Sequence, residues 1–261
     1  MISMIVEIVL AVLAAVLVWV IIDWTRARAR IRSEQEARKL KHDLTGNISH
    51  ELKTPVSSIR GYLETLVNNP DLPEDKRRFF IERSYLQSLR LTEMISDISL
   101  ITKMEEAPDQ FSLESVNIRD SFEEVMEELS GKIRAHDIKV ENLLPPVHIS
   151  ANYNLLYAIF RNLLENSIKY AGDGCNVRIA VRLGADENVF DYSDDGKGVP
   201  EEELSRIFTR FYRLSEDRGG TSGGSGLGLS IVRNAVLFHK GSITAYRPHE
   251  GGLGFRFSIR K

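Results

Sequence analysis

Cysteine is almost absent. Cys175 is the only one in 261 residues, which excludes an internal disulfide and a multi-cysteine metal site and suits a reducing compartment for the folded part. A basic excess is missing as well: 34 Lys and Arg stand against 37 Asp and Glu, a net charge of −3. The electrostatic footprint of a nucleic-acid binder is therefore lacking. The regular strand–helix rhythm of a doubly wound sheet is also missing. Long apolar runs are confined to the N-terminus. What remains, 43% hydrophobic and 27% charged residues, is ordinary for globular protein, and the length suits one large domain or two smaller ones.

The exception at the N-terminus runs from Met4 to Ile22 with Glu7 as its one charge. At about 1.5 Å per residue it nearly matches a hydrocarbon core of roughly 30 Å. No basic residue precedes it, and Arg26, Arg28, Arg30 and Arg32 follow directly, so a membrane span is favoured over a cleaved leader or a buried helix. The positive-inside rule then puts the C-terminal side in the cytoplasm, with Trp19 and Trp24 near the inner interface. The expectation is a single-pass inner-membrane anchor over residues 1–24. Only a few residues lie outside it.

From Thr25 to Lys41 the chain is charged and has no Gly or Pro, so a helix can continue from the span. Apolar residues then recur at Leu40, Leu44, Ile48, Leu52, Val56, Ile59, Leu63 and Leu66, the spacing of one buried helix face. His50 is turned roughly 200° from Ile48 at about 100° per residue, away from that seam. Glu51 adjoins it, Thr54 stands one turn on, and Pro55 removes a backbone donor. The cluster from Asn68 to Pro73 must end the helix. A second pattern with Phe80, Leu86, Leu89, Leu91, Met94, Ile98 and Ile101 runs to about Met104. Two such helices form a hairpin that leaves an apolar stripe uncovered, so residues 25–108 are expected to pair into a dimeric four-helix bundle. A monomeric hairpin packed on the C-terminal domain is the competing reading. Glu105 to Gln110 reads as the linker.

Residues 109–261 mix short strands, near 111–117, 138–143, 147–151, 176–183, 188–193, 242–247 and 253–260, with helices near 118–132, 152–171 and 225–238. A helix layer on a mixed sheet is predicted, giving an α+β chain overall. On the helix from about Asn152 to Ala171, Leu155, Leu156, Ile159, Phe160, Leu163, Leu164 and Ile168 form an apolar face. Asn162, Asn166, Lys169 and Tyr170 form the opposite stripe. Its amide oxygens suit Mg²⁺ and its ammonium suits phosphate, although a solvated polar face has the same composition.

These segments carry a resemblance. The string from Asn47 to Pro55 is similar to the phosphoacceptor box, His-Glu-x-x-Thr-Pro, of bacterial two-component sensor histidine kinases. Arg161 to Tyr170 resembles the N box of that family, and Asp194-Asp195-Gly196-Lys197-Gly198 its first glycine box, with Asp195 in place of the more usual asparagine. Ile207 to Arg213 resembles the phenylalanine box. Gly224-Ser225-Gly226-Leu227-Gly228 resembles the second glycine box, and the charged, Gly-rich stretch from Leu214 to Gly224 is expected to be a mobile lid. The likeness spans from about Lys41 to the end.

It implies an α/β sandwich of the histidine kinase and Hsp90-like ATPase type behind the hairpin, autophosphorylation of His50 from Mg-ATP, and transfer to an aspartate of a response regulator, with a phosphatase activity besides. Glu51 would take a ring proton and Thr54 would serve the phosphatase reaction. Mg²⁺ would sit on Asn162 or Asn166. The nucleotide would meet Asn162, Asn166, Lys169, Tyr170, Asp194, Gly196, Gly198, Phe208, Arg213, Gly224, Gly226, Leu227 and Gly228, with Asp194 reading the adenine amino group. The alternatives are an ATPase of the same nucleotide fold and a scaffold without phosphotransfer. The histidine box speaks against the first and the intact Asn, Asp and Gly positions against the second.

Overall fold

A computed structural model of the protein describes residues 48–214, 224–249 and 251–260. The expected membrane helix and most of the expected lid lie outside the described residues. Among the described residues no helix is long and apolar enough to cross a membrane. The chain divides into two units, Met1–Thr54 and Pro55–Lys261. In the first, residues 48–54 are helical, His50 and Thr54 are exposed, and Glu51 is half-buried.

The helix, α1 (48–68), continues through Pro55 into the second unit. There its apolar stripe divides in two. Pro55 is buried and Ile59, Tyr62 and Leu66 are half-buried, the Tyr62 ring meeting Phe80 of the next helix at 5.9 Å between centroids. Val56, Leu63 and Val67 stay 48%, 47% and 79% exposed. Helix α2 (Glu74–Glu106) follows Pro73, with Glu74 and Asp75 in its first turn and Lys103 in its last, the arrangement that complements the helix dipole. It runs slightly past the expected end at Met104, and a 3₁₀ turn, Pro108–Gln110, follows.

Strand β1 (Glu114–Asn117) pairs antiparallel with β3 (His148–Ala151). A five-stranded sheet has the order β2 (Lys139–Asn142), β4 (Asn176–Leu183), β5 (Glu187–Asp194), β7 (Gly254–Arg260), β6 (Ile243–Tyr246). The β2–β4 pair is parallel and the others are antiparallel, so the mixed sheet expected from the sequence is present. Along β5, Asn188, Phe190, Tyr192 and Asp194 are all buried, alternating with half-buried residues as one strand face requires.

Helices α3 (Ile118–Glu128), α5 (Tyr153–Tyr170) and α6 (Gly228–Phe238) supply the other half of the core. Phe122 meets Phe160 edge-on at 5.4 Å, Phe160 meets Phe190 at 6.0 Å, and Phe190 stacks on Phe257 at 4.9 Å. The single helix expected over 118–132 is broken. Leu129 leaves helical dihedrals at φ −89°, ψ 4° and is buried, and α4 (Ser130–Ala135) restarts after it. Ser130 and Gly131, weak helix formers, lie at the restart.

Helices α3 and α5 begin on asparagine caps. Asn117 Oδ1 accepts from the Arg119 amide at 3.1 Å, and Asn152 Oδ1 from the Leu155 amide at 3.1 Å. Asn152 also ties α5 to the end of α6, because its backbone N–H donates to Nε2 of buried His239 at 2.9 Å. The other ring nitrogen, Nδ1, donates to the Ala235 carbonyl at 2.7 Å. These two bonds require the neutral ring, and burial lowers the His239 pKa accordingly.

Candidate functional site

On α1, the Thr54 hydroxyl donates to the carbonyl of His50 at 3.3 Å, as a threonine one turn on does in a helix. The imidazole itself is exposed. A helix-borne ring open to solvent is chemically available as a nucleophile.

The second set of predicted residues gathers at one end of the sandwich, around α5. Asn162 donates its amide nitrogen to the Ala158 carbonyl at 2.8 Å. Its Oδ1 faces Gly228, where an added Cβ would stand 2.6 Å away. Any side chain at 228 would therefore cover the amide oxygen. Tyr170, two turns further along, accepts the Gly224 N–H on its hydroxyl at 3.3 Å. The start of α6 thus lies along the Asn162–Tyr170 stripe, where free amides of a helix N-terminus favour an anion. Ser225 Oγ takes one of these amides, that of Leu227, at 3.2 Å and donates to Asp97 of α2 at 3.4 Å. Burial raises the Asp97 pKa to about 6, a shift that the Ser225 hydrogen bond and Arg161 only partly oppose.

Asp194 closes the other end. It is 5% exposed, and its carboxylate is fixed on both oxygens. Oδ2 accepts from the Ser167 hydroxyl at 2.7 Å, and Oδ1 from the amides of Gly196 and Leu253, each at 3.2 Å. Ser167 is in turn 3.0 Å from the hydroxyl of fully buried Tyr192. Such a clamp presents a carboxylate of fixed orientation, which is what reading an amino group needs. Gly196 passes so close to Ala171 that an added Cβ would meet it at 2.4 Å. Asp195, the departure from the usual asparagine, serves the fold. It accepts from the backbone and side-chain nitrogens of Asn176 at 2.7 and 2.5 Å, holding the start of β4.

Phe208 sits in the core, edge-on to Phe255 at 6.0 Å, while Arg213 is half-buried. Between them and α6, Phe211 adopts a left-handed φ of 60°, an outlier for an aromatic residue. Its N–H donates to the Gly226 carbonyl at 2.9 Å, and at Gly226, whose φ is 71°, an added Cβ would stand 2.8 Å from the Phe211 backbone. The phenylalanine-rich and glycine-rich segments are clasped together there. Lys169 meets Glu165 at 3.6 Å. Ser167, Tyr192 and Glu165 were not singled out from sequence. Ser167 and Glu165 are polar residues buried on α5, and in the sequence nothing sets them apart from the polar Asn166 and Lys169 beside them. Among the described residues no cluster of His, Cys, Asp and Glu could hold a metal ion.

A mixed-sheet sandwich with a polar helix stripe, a clamped aspartate and two glycine turns defines a nucleotide-binding module, and the helix before it carries a reachable histidine. The comparisons agree in both parts. Residues 151–261 match the family described as histidine kinase-, DNA gyrase B-, and HSP90-like ATPase, and residues 40–107 match the His Kinase A (phospho-acceptor) domain. The chain belongs to the two-component sensor histidine kinases.

It is 30% identical to the sensor-like histidine kinase SenX3 of Mycolicibacterium smegmatis, over 84% of this chain and 57% of that protein. Sensor protein KdpD of Clostridium acetobutylicum is 28% identical over 91% of this chain and 26% of its own length. The chain thus spans only part of the curated relatives that it matches. Among solved structures, histidine kinase ThkA in complex with response regulator protein TrrA shares the fold at a TM-score of 0.69 and 21% identity, covering 88% of this chain and 64% of that one.

Proposed function

We propose that the protein is the kinase of a two-component system, transferring the γ-phosphoryl group of ATP to His50 and from there to an aspartate of a response regulator. The observation that carries this reading is the pairing, in one chain, of an exposed helix-borne His50 with a nucleotide module whose Asp194 carboxylate is fixed by Ser167, Gly196 and Leu253. In the first step a His50 ring nitrogen forms the N–P bond as the bond from the γ-phosphorus to the bridging oxygen breaks, and ADP leaves. Glu51 takes the ring proton. The second step moves the phosphoryl group to the regulator's carboxylate and restores the imidazole.

The residues around α5 would act by position and charge. Asp194 would accept from the adenine amino group. The α6 amides, with Lys169 and Arg213, would face the phosphates. A Mg²⁺ ion, held through the oxygens of Asn162 or Asn166, would neutralise phosphate charge when bound. The fit is chemical: Asn162 has its nitrogen engaged and its oxygen left over. Thr54 would position the water that attacks a regulator's phosphoaspartate. A homodimer is supported by Val56, Leu63, Val67, Leu86 and Leu89, which one copy of the hairpin leaves exposed. Anchoring in the inner membrane, with the kinase in the cytoplasm, rests on the run from Met4 to Ile22.

The test is incubation with γ-labelled ATP followed by acid. Label that is lost in acid, kept in base and absent from His50→Gln, while that variant still binds ATP within about twofold, is the expected result. ATP hydrolysis with no protein label would instead point to an ATPase of the same fold.

A further inference from the structure

Glu165 is a buried carboxylate outnumbered by cations. Its side chain is 11% exposed, and its two oxygens are divided between three partners. Oε1 accepts from Lys132 Nζ of α4 at 2.8 Å, whereas Oε2 faces Arg161 Nη1 at 3.3 Å and Lys169 Nζ at 3.6 Å. Burial alone would raise its pKa, but Lys169, Lys132 and Arg161 together hold it below the ordinary glutamate value, so it stays ionised. The three cations are not equivalent. Arg161 has a second anchor in Glu128 at 3.0 Å. Lys169 has the longest of the three contacts. A purely structural ion pair would neutralise itself. Here two carboxylates, Glu165 and Glu128, serve three cations, and the one with the longest contact, Lys169, lies on the stripe with Asn162 and Asn166.

Resting on the nucleotide-site reading above, we propose that Glu165 is a positioning residue: held from one side by Lys132 and Arg161, it fixes the reach of the Lys169 ammonium toward the phosphates of ATP. A lysine side chain loses much rotamer entropy when it is immobilised. A carboxylate that restrains it beforehand removes part of that cost from binding. The 3.6 Å separation leaves the ammonium protons free to turn to a stronger acceptor, and phosphate oxygens are one.

The experiment is a double-mutant cycle on nucleotide affinity with the full chain. ATP and adenosine are titrated against wild type, Glu165→Gln, Lys169→Gln and the double variant. Glu165→Gln is expected to weaken ATP about tenfold, the scale of one charge-assisted contact. On the Lys169→Gln background it is expected to add less than about twofold, with adenosine affinity unchanged throughout. Lys132→Gln should reproduce part of the loss. An equal penalty on both backgrounds would overturn the proposal, showing that Glu165 serves only the fold, and so would no penalty at all. If Lys169→Gln itself left ATP affinity intact, the phosphate role of Lys169 would fall and this inference with it. Absence of ATP binding by wild type would instead remove the nucleotide reading as a whole.

Discussion

Ser167 donates its hydroxyl to Oδ2 of Asp194 at 2.7 Å, and both residues are buried. The serine stands next to Asn166 in the N-box string but points the other way, into the sandwich, to the carboxylate expected to read adenine. Ser167→Ala leaves a buried carboxylate oxygen without that donor, at a cost of roughly 1–3 kcal/mol. The variant should unfold at lower urea and bind ATP several-fold more weakly. Adenosine should be affected as much as ATP if, as proposed, the lost contact lies at the base end. A loss seen with ATP but not with adenosine would place the effect elsewhere.

Thr54 follows His50 by one turn, and its hydroxyl lies on the carbonyl of the same residue. Thr54→Ala should keep labelling of His50 within about twofold and lose the accelerated decay of a regulator's phosphoaspartate. Decay is to be followed with a regulator loaded beforehand, with and without the variant. Equal decay by wild type and variant rules Thr54 out of the phosphatase reaction.

Leu63 is 47% exposed on the side of α1 that α2 does not cover. Leu63→Glu puts a charge into any helix seam formed there, and burying it unpaired is costly. A chain beginning near Arg30 should therefore scatter light as a dimer at micromolar concentration, and the variant should scatter as a monomer. A wild-type monomer under the same conditions would overturn the bundle.

The His239 ring is neutral by construction, accepting from Asn152 on Nε2 and donating from Nδ1 to Ala235. Burial holds its folded pKa below the ordinary value, whereas in the unfolded chain it titrates near 6.5. The stability that depends on this ring is thus fully present above about pH 6.5 and is lost as pH falls below it toward the folded pKa. Asp97, with its pKa raised to about 6, contributes with the opposite sign. The measurement is therefore a difference: urea midpoints of wild type and His239→Gln from pH 8 to 5.5. The gap between them should be widest at pH 8 and shrink with acid. A gap that does not change with pH would mean that the ring's protonation is not linked to folding.

Sequence periodicity located most of the fold because its elements keep one buried face each. The strand read over 176–183 is β4, Glu114–Asn117 falls within the strand read over 111–117, and α5 falls within one residue of its expected ends. The break at Leu129 was hidden because Leu129 and Ile133 keep the apolar spacing across it; only Ser130 and Gly131 betray it. The seam on α1 looked single because Ile59 and Leu63 fit one helical stripe, yet Ile59 is half-buried and Leu63 is exposed. In the site, the polar stripe of α5 was visible from spacing. Two of the three partners of Asp194 were not, since Ser167 and Leu253 come from segments 27 and 59 residues away along the chain, and no local pattern joins them.

Ile101 and Met104 belong to α2 by sequence, but their side chains lie in the same apolar cluster as Phe160, Phe190 and Phe257. The seam between the two family domains in the chain is therefore not a seam between two cores. Anyone exchanging the hairpin for that of another kinase would carry off two residues that the ATP-binding half needs. A graft joined after Glu106 must reproduce both at their present spacing, whereas one joined upstream of Ile101 keeps them and leaves the sandwich sealed.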